Sequence, residues 1–499
     1  MIQKLIVLGG GSAGFMAAIA LKHKVPPNVR VLLIRSPDIG IIGVGEGSTP
    51  SLTSYLHSFL KVPPRQLFEI AQPTWKLGLK FLWGPLPHFY YSFYGPSIEG
   101  RLEPTQIKPN GYYCPDDIDD VDPIMARMGV DRVFEQSDGW PMFATGHYAY
   151  HLENEKFVHY LEAVAASKEV EVLDATVAHV HQDEQGVARL SLQSGREESA
   201  DLYIDCSGFR SLLLGKTLQE PFVSYRSSLF CERAIIGGWD RQAPEEQVIK
   251  PYTTCETMDA GWAWQIEHEH RINRGYVYCP DFITDEQAER EFRAKNPWLG
   301  PTRVVRFVSG RYERAWVKNV VAVGNASGFV EPLEATALGA IAQQSRALSE
   351  TLWRSEMQPR PSQIMLYNRM HAQYWDPIRN FLAIHYKYNT RLDTPFWREC
   401  REKTDLADGA RIVEYYRENG PEAYWGPGLI DNPHDQFGAT GYFQLLAGMK
   451  VPCRQTYRPG PQELDRFNQL RLANREAALR CMTVRDVLAA VSSPRANII

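Results

Sequence analysis

The sequence predicts an α/β protein built on a Rossmann-like sheet, elaborated by further strands and closed by a mainly helical C-terminal region. Three observations predict it. A strand, a glycine-rich turn and a small-residue helix follow one another at the N-terminus. Two later apolar strands end in Asp205 and in Gly324-Asn325, and helical patterning dominates beyond residue 350.

Lys4 to Leu8 reads as a strand buried on both faces, and Phe15 to Leu21 begins a helix of small and apolar residues. Between them Gly9-Gly10-Gly11-Ser12-Ala13-Gly14 satisfies G-x-G-x-x-G. Glycines in this pattern serve a tight turn, the approach of backbone to a pyrophosphate and the packing of helix on strand; the helix N-terminus then faces the phosphates. The motif alone is common, but directly after a first strand it is a strong dinucleotide signature. The second strand, Val29 to Ile34, would ordinarily close on an acid that grips the ribose, yet Arg35 stands there, followed by Ser36, Pro37 and Asp38. Ribose recognition then falls to backbone, Ser36 or Asp38, while an arginine also suits a 2′-phosphate.

"ADLYIDCSGFRS" (200–211) supplies a later strand, as does the run from Asn319 to Val323 that closes on Gly324-Asn325-Ala326. Large FAD-binding folds bring a third segment to the flavin in this way. Nucleotide-binding pieces are therefore expected at about 1–50, 150–215 and 302–350, within a core of 1–350 that carries the substrate-region insertions. A mainly helical region, 351–499, is expected to cover the substrate pocket. No second glycine motif follows a strand, which argues for reduced flavin arriving from another protein over a built-in NAD(P)H domain.

A chain of 499 residues suits two or three domains, or one elaborated one. Its net charge of -5 gives no general attraction for nucleic acid or an anionic membrane. Eight cysteines without a C-x-x-C pair argue against a zinc site or disulfide scaffold and fit a reduced, cytoplasmic chain. No apolar run is long enough to span a bilayer. The opening "MIQKLIVLGGGSAGF" mimics a signal peptide, but its glycine triplet fits a strand-to-helix turn better. With 12 Trp, 24 Tyr and 21 Phe the chain has material for a flat-ring pocket, although aromatics usually fill cores.

The stretch "VVAVGNASGFVEPLEATALGAIAQQ" (320–344) holds Glu331 and Glu334 with no lysine or arginine inside it. Buried carboxylates are unfavourable unless hydrogen-bonded or used. Thr336 begins an apolar helix to about Leu352, whose first amides suit an anion. In "PTWKLGLKFLW" (73–83), strand alternation sets Lys76 and Lys80 opposite Trp75, Leu77, Leu79 and Phe81, the pattern of a solvated strand face. The same period puts Trp262 and Trp264 of "GWAWQI" on one face.

Four segments in register, from residue 1 to about 450, resemble the flavin-dependent tryptophan halogenase family, within the wider flavin monooxygenase-like fold. They are the glycine motif, the strap "IIGVGEGSTPSL" (41–52), the W-x-W-x-I signature of Trp262, Trp264 and Ile266, and "GFVEPLEATAL". In that light "PTWKLGLKFLW" resembles the catalytic-lysine strand, with Lys76 as the catalytic amine. The resemblance implies FAD, used as FADH2 from a separate flavin reductase. With oxygen the flavin would convert chloride or bromide to hypohalous acid, which passes through a tunnel to Lys76. Glu334 would pair with Lys76 and steady the positive charge on an arene such as indole or tryptophan, or take its ring proton. Glu331 is read as structural.

The cofactor contacts implied are Gly9, Gly11, Ser12, Ala13, Gly14, Arg35, Ser36, Glu46, Gly47, Val177, Asn325 and Leu338. Thr336 and Ala337 stand where the family presents a Thr-Gly pair to halide, and a methyl at 337 is expected to restrict φ and crowd that pocket. Ala335 replaces the usual serine, and Glu267 the proline after the signature. Tyr91 and Phe93 replace the His-x-Phe that sandwiches an indole, so one stacking wall is kept and the other altered. Competing readings are an aromatic hydroxylase of the same fold and a non-catalytic FAD- or NADP-binding redox sensor. The amphipathic stretch of about 462–491 suits packing on the body or a homodimer contact. No metal is expected.

Overall fold

The opening strand forms over Lys4–Leu8, buried because strands lie on both sides of it and helices cover its faces. This computed structural model describes residues 1–40, 45–93, 120–143, 148–242, 247–421, 426–454 and 460–493, so the first four residues of the strap segment lie outside it. The strand belongs to a six-stranded sheet, in the order Glu171–Asp174, Arg30–Arg35, Lys4–Leu8, Leu202–Asp205, Val320–Ala322 and Trp316–Val317. All pairs are parallel except the last. The sheet thus gathers strands from three distant parts of the chain. At its centre Gly9 holds φ +130°, and an added Cβ would lie 2.2 Å from the carbonyl oxygen of Cys206, so only glycine passes there. The helix Ser12–Lys24 follows at once, apolar through Leu21 because it packs on the sheet and on the helix Ala337–Arg354.

A seven-stranded, mostly antiparallel sheet forms the second layer. Its order is Arg303–Arg306, Arg233–Asp240, Arg271–Tyr278, Gly261–Glu267, Tyr252–Met258, Gly78–Leu82 and Phe89–Ser92. A third, short sheet joins the two, with Ala149–Glu153 between Gly45–Gly47 and Thr74–Lys76. Here the structure departs from the sequence reading. The alternation from Trp75 to Leu82 looks like one strand, but the chain leaves the small sheet after Lys76 and enters the large one at Gly78. Leu77 lies between, its N–H donating to the carbonyl of Pro251 at 2.7 Å. Lys76 and Lys80 therefore face different surroundings. Lys76 is fully buried, whereas Lys80 is half-buried with Nζ 5.3 Å from the ring centroid of Tyr90 and 5.9 Å from that of Tyr252. Neither is a plainly solvated lysine.

Beyond residue 360 the described chain is helical, led by Pro361–Tyr388, with shorter helices at Pro395–Lys403, Gly409–Asn419 and Gly438–Gly448. In the final helices, Pro461–Leu479 and Val484–Val491, the buried residues Phe467, Asn474 and Ala478 recur at helical spacing. Asn474 Nδ2 donates to the carbonyl of Asp120 at 2.9 Å, so this stretch packs on the body, while Leu472 and Leu479 remain exposed. No helix among the described residues is long and apolar enough to cross a membrane.

Candidate functional site

A cavity of about 910 Å³ opens beside the glycine turn and reaches Lys76. At its first end lie Gly9, Gly11, Ser12 and Ala13, with Arg35, Ser36, Val177, Asn325 and Leu338 around them. A Cβ added to Gly11 would meet no atom within 4 Å, so this backbone faces open space at the N-terminus of a helix. That is the cradle a pyrophosphate requires. Gly14 is different: its own Cβ would lie 1.8 Å from the carbonyl oxygen of Gly9, so it packs helix on turn and does not line the cavity. Ser12 Oγ is already engaged, donating to Asn154 Oδ1 at 3.0 Å.

Arg35 is tied by two acids, Nε to Asp174 Oδ1 at 2.5 Å and Nη1 to Glu162 Oε1 at 2.8 Å. The Asp174 hydrogen bond, chiefly, raises its pKa further. With its charge met twice, Arg35 lends little to the 2′-phosphate reading. Beside it Ser36 Oγ shares a hydrogen bond with Thr176 Oγ1 at 2.7 Å, and Thr176 reaches Asp38 Oδ2 at 2.9 Å. Ser36 and Thr176 thus give the cavity a polar edge, backed by Asp38. Asp205, at the end of its strand, serves the fold: its carboxylate accepts from the N–H groups of Ser207, Leu213 and Leu214.

The strap forms one wall. Glu46 is pushed up to about 7 by burial. A Cβ at Gly47 would lie 3.1 Å from Lys76 Nζ, 3.3 Å from Ala335 Cβ and 3.3 Å from Thr253 Oγ1. Strap, lysine and the segment before the helix Ala337–Arg354 therefore meet at one point. Lys76 Nζ donates to the carbonyl of Ser48 at 3.3 Å and lies 5.0 Å from the centroid of the Phe93 ring. Burial lowers its pKa to about 8, against the attraction of Glu334 and Cys255. His151, whose Nε2 is 2.9 Å from Thr253 Oγ1, is held well below its ordinary value by burial and then by Lys76.

The segment carrying the two glutamates makes a short turn of helix, Pro332–Glu334, before Thr336 leads into the helix at Ala337. Ala337 is helical, so its methyl meets no backbone restriction. The unusual conformation lies at Ala335, which is left-handed at φ 54°, a region costly for a residue with a Cβ by about 1–2 kcal/mol. Ala335 and Ala337 line the cavity, while the Thr336 side chain is buried beside it.

Glu334 is buried, but its partner is not Lys76. His385 Nε2 lies 2.9 Å from Glu334 Oε1, and Lys76 feels Glu334 only as a longer-range attraction. The expected direct lysine–glutamate pair is thereby corrected: Lys76 leans towards the strap and Ser48, and the imidazole fills the place beside the carboxylate. Glu331 accepts two hydrogen bonds on one oxygen, from Trp262 Nε1 at 2.9 Å and Tyr386 Oη at 2.5 Å, and burial raises it to about 7. Trp262 thus serves the core, while Trp264 and Ile266, further along the same strand face, line the cavity. Glu267 forms a buried ion pair with Arg241 at 2.5 Å. Tyr91 is buried edge-on against Phe81, with a tilted contact to Phe381, so of the two proposed ring contacts only Phe93 touches the lysine.

Three groups of this site, His385, Thr253 and His151, escaped the sequence reading. His385 alone left a trace there, as the single histidine in the otherwise largely apolar "NFLAIHY".

The sequence profile of the tryptophan halogenase family matches residues 4–463. The chain belongs to this family. Tryptophan 7-halogenase RebH of Lentzea aerocolonigenes is 30% identical over 487 residues, covering 90% of this chain and 89% of that one. Among solved structures, MibH, a lanthipeptide tryptophan 5-halogenase, superposes with a TM-score of 0.89 at 35% identity, covering 99% of this chain and 94% of its own. Xcc4156, a flavin-dependent halogenase from Xanthomonas campestris, does so at 0.86 and 26%, with 98% of each chain covered. As a member of the tryptophan halogenase family the protein is an enzyme with an α/β, FAD-binding fold.

Proposed function

We propose that this enzyme halogenates an electron-rich arene of the indole or tryptophan type, using FADH2, oxygen and chloride or bromide, through hypohalous acid captured at Lys76. The observation that carries the reading is a fully buried lysine at the far end of the cavity that begins at the glycine turn. FAD fits the near end: the open backbone at Gly11, the first amides of the helix Ser12–Lys24 and the Ser36 edge would hold pyrophosphate and ribose. When bound and reduced, it supplies with oxygen the oxidising equivalent that turns halide into hypohalous acid. A separate flavin reductase delivers the reduced form.

The remaining work falls to the chain's own side chains. Amides at Thr336 and Ala337, at the start of a helix, suit a halide. Trp264 and Ile266 wall the cavity and keep a bulky arene from the flavin. Lys76 either donates a hydrogen bond to hypohalous acid or, as the amine, takes its halogen and releases water. Both states are accessible because burial brings its pKa to about 8. The arene then takes the halogen, positive charge builds on the ring, and Glu334 stabilises it and accepts the ring proton. Phe93 offers a π-face beside the amine. Relatives named as tryptophan 5-, 6- and 7-halogenases have similar identity to this chain, 35%, 31% and 30%.

The test is product mass from indole, bromide, oxygen and reduced FAD. A bromine isotope pair is expected. One added oxygen in its place would make the enzyme a hydroxylase, and no product would favour a redox sensor. Lys76→Ala should abolish bromination yet keep hypohalous acid production from reduced flavin. Loss of both would move this lysine into the flavin site and refute its assigned role.

A further inference from the structure

Neither the sequence nor the family resemblance gives His385 a part. It lies in the last turn of the helix Pro361–Tyr388 and is fully buried. Its Nδ1 is 2.9 Å from the carbonyl oxygen of Phe381, and its Nε2 is 2.9 Å from Glu334 Oε1. A carbonyl can only accept, so Nδ1 carries a hydrogen. Two bare acceptors at the other contact would repel, so Nε2 and Oε1 share one hydrogen. The pair is then either imidazolium with carboxylate or neutral imidazole with carboxylic acid.

The surroundings favour the first. A helix C-terminus stabilises a cation in its last turn. The rings of Phe81, Trp83 and Phe381, with centroids at 5.2, 6.2 and 5.0 Å, hold the imidazole in one plane. Trp83 Nε1 also donates to the carbonyl of His385 at 2.9 Å and fixes the end of the helix. The titratable groups that sense Glu334 from the elements packed on it are Lys76, Tyr91 and Cys255.

We propose that His385 is a positioning residue that keeps the shared proton on its ring, so that Glu334 remains a carboxylate with Oε1 pinned and Oε2 left to receive the proton of the halogenated ring carbon. In that step the C–H bond breaks, its electron pair restores the aromatic ring and the proton passes to Oε2. The pair then holds two protons, and one must leave to solvent before the next turnover. The inference rests on the halogenase reading above.

His385→Gln is the variant of choice, because its amide can still donate to Glu334 but cannot hold an extra proton. With indole, bromide and reduced FAD, kcat should fall about 100-fold, while KM and FAD affinity hold. The ionisation of the pair should vanish from the kcat–pH profile. A folded variant with native kcat and profile overturns the proposal, as does a lowered kcat with an unmoved profile, which would mean packing alone. Difference infrared spectra of the native protein against Glu334→Gln give a readout that needs neither this variant nor turnover. Carboxylate bands are expected for Glu334 in the native protein, and a protonated-carboxyl C=O stretch overturns the proposal. If the native enzyme gave no bromoarene, the functional reading would fall, while the infrared result would still locate the proton.

Discussion

Replacing Lys76 by methionine should stabilise the protein while ending its chemistry. An unfolded lysine titrates near 10.5, and burial, partly offset by Glu334, brings Lys76 down to about 8. Below pH 8 the group is charged in both states, so the folded protein carries the whole penalty of holding an ammonium away from water. The gap of about 2.5 in pKa, at about 1.4 kcal/mol for each, amounts to about 3 kcal/mol. Between pH 8 and 10.5 the unfolded chain binds the extra proton, so native stability rises with pH and the penalty fades. Methionine has similar length and no charge. Urea unfolding of the two flavin-free proteins should therefore favour the variant by about 3 kcal/mol at pH 7, shrinking to about 1.4 kcal/mol at pH 9.5. Equal stability at both pH values, or a loss at pH 7, would refute the picture of a desolvated amine kept for its reactivity.

Glu334→Gln should reduce kcat for arene halogenation by about 100-fold or more with unchanged FAD affinity, checked by steady-state kinetics and flavin titration. Gly11→Val places a side chain in open cavity space, so the fold should persist while FAD affinity drops at least about tenfold, roughly 1.4 kcal/mol, by calorimetry. Glu331→Gln removes a carboxylate that burial raises to about 7. The folded state binds the extra proton between the ordinary carboxylate value and 7, so native stability falls as pH rises through that window. The variant should thus gain relative to native protein at pH 8 but not at pH 4.5, measured by denaturation at each pH.

The nucleotide half of the fold was legible because its information is local. A strand, the glycine turn and a helix follow within about twenty residues, and steric limits at Gly9 leave no alternative. Lys76 was legible only through the family's pattern, since period-two alternation reads the same whether the chain stays in one sheet or crosses to another. The signal that was missed is Gly78, where a Cβ would lie 2.2 Å from the carbonyl oxygen of Tyr91. Glu334 was recognisable as a costly buried acid, but its partner lies 51 residues away, on a helix whose register no local pattern fixes. Lysine was the natural choice by charge; packing brought histidine instead. Arg35 shows the same limit, since Glu162 and Asp174 reach it from distant elements.

One strand, Ala149–Glu153, carries the strap on one edge and the lysine on the other, with His151 opposite both Gly47 and Thr74. Two hydrogen-bonded ladder spacings, about 4.8 Å each, therefore gauge the backbone separation between strap and lysine strand, whatever fills the cavity. The aromatic and helical surroundings can change without altering that gauge. The distance from strap to lysine strand is thus set apart from the shape of the pocket around it.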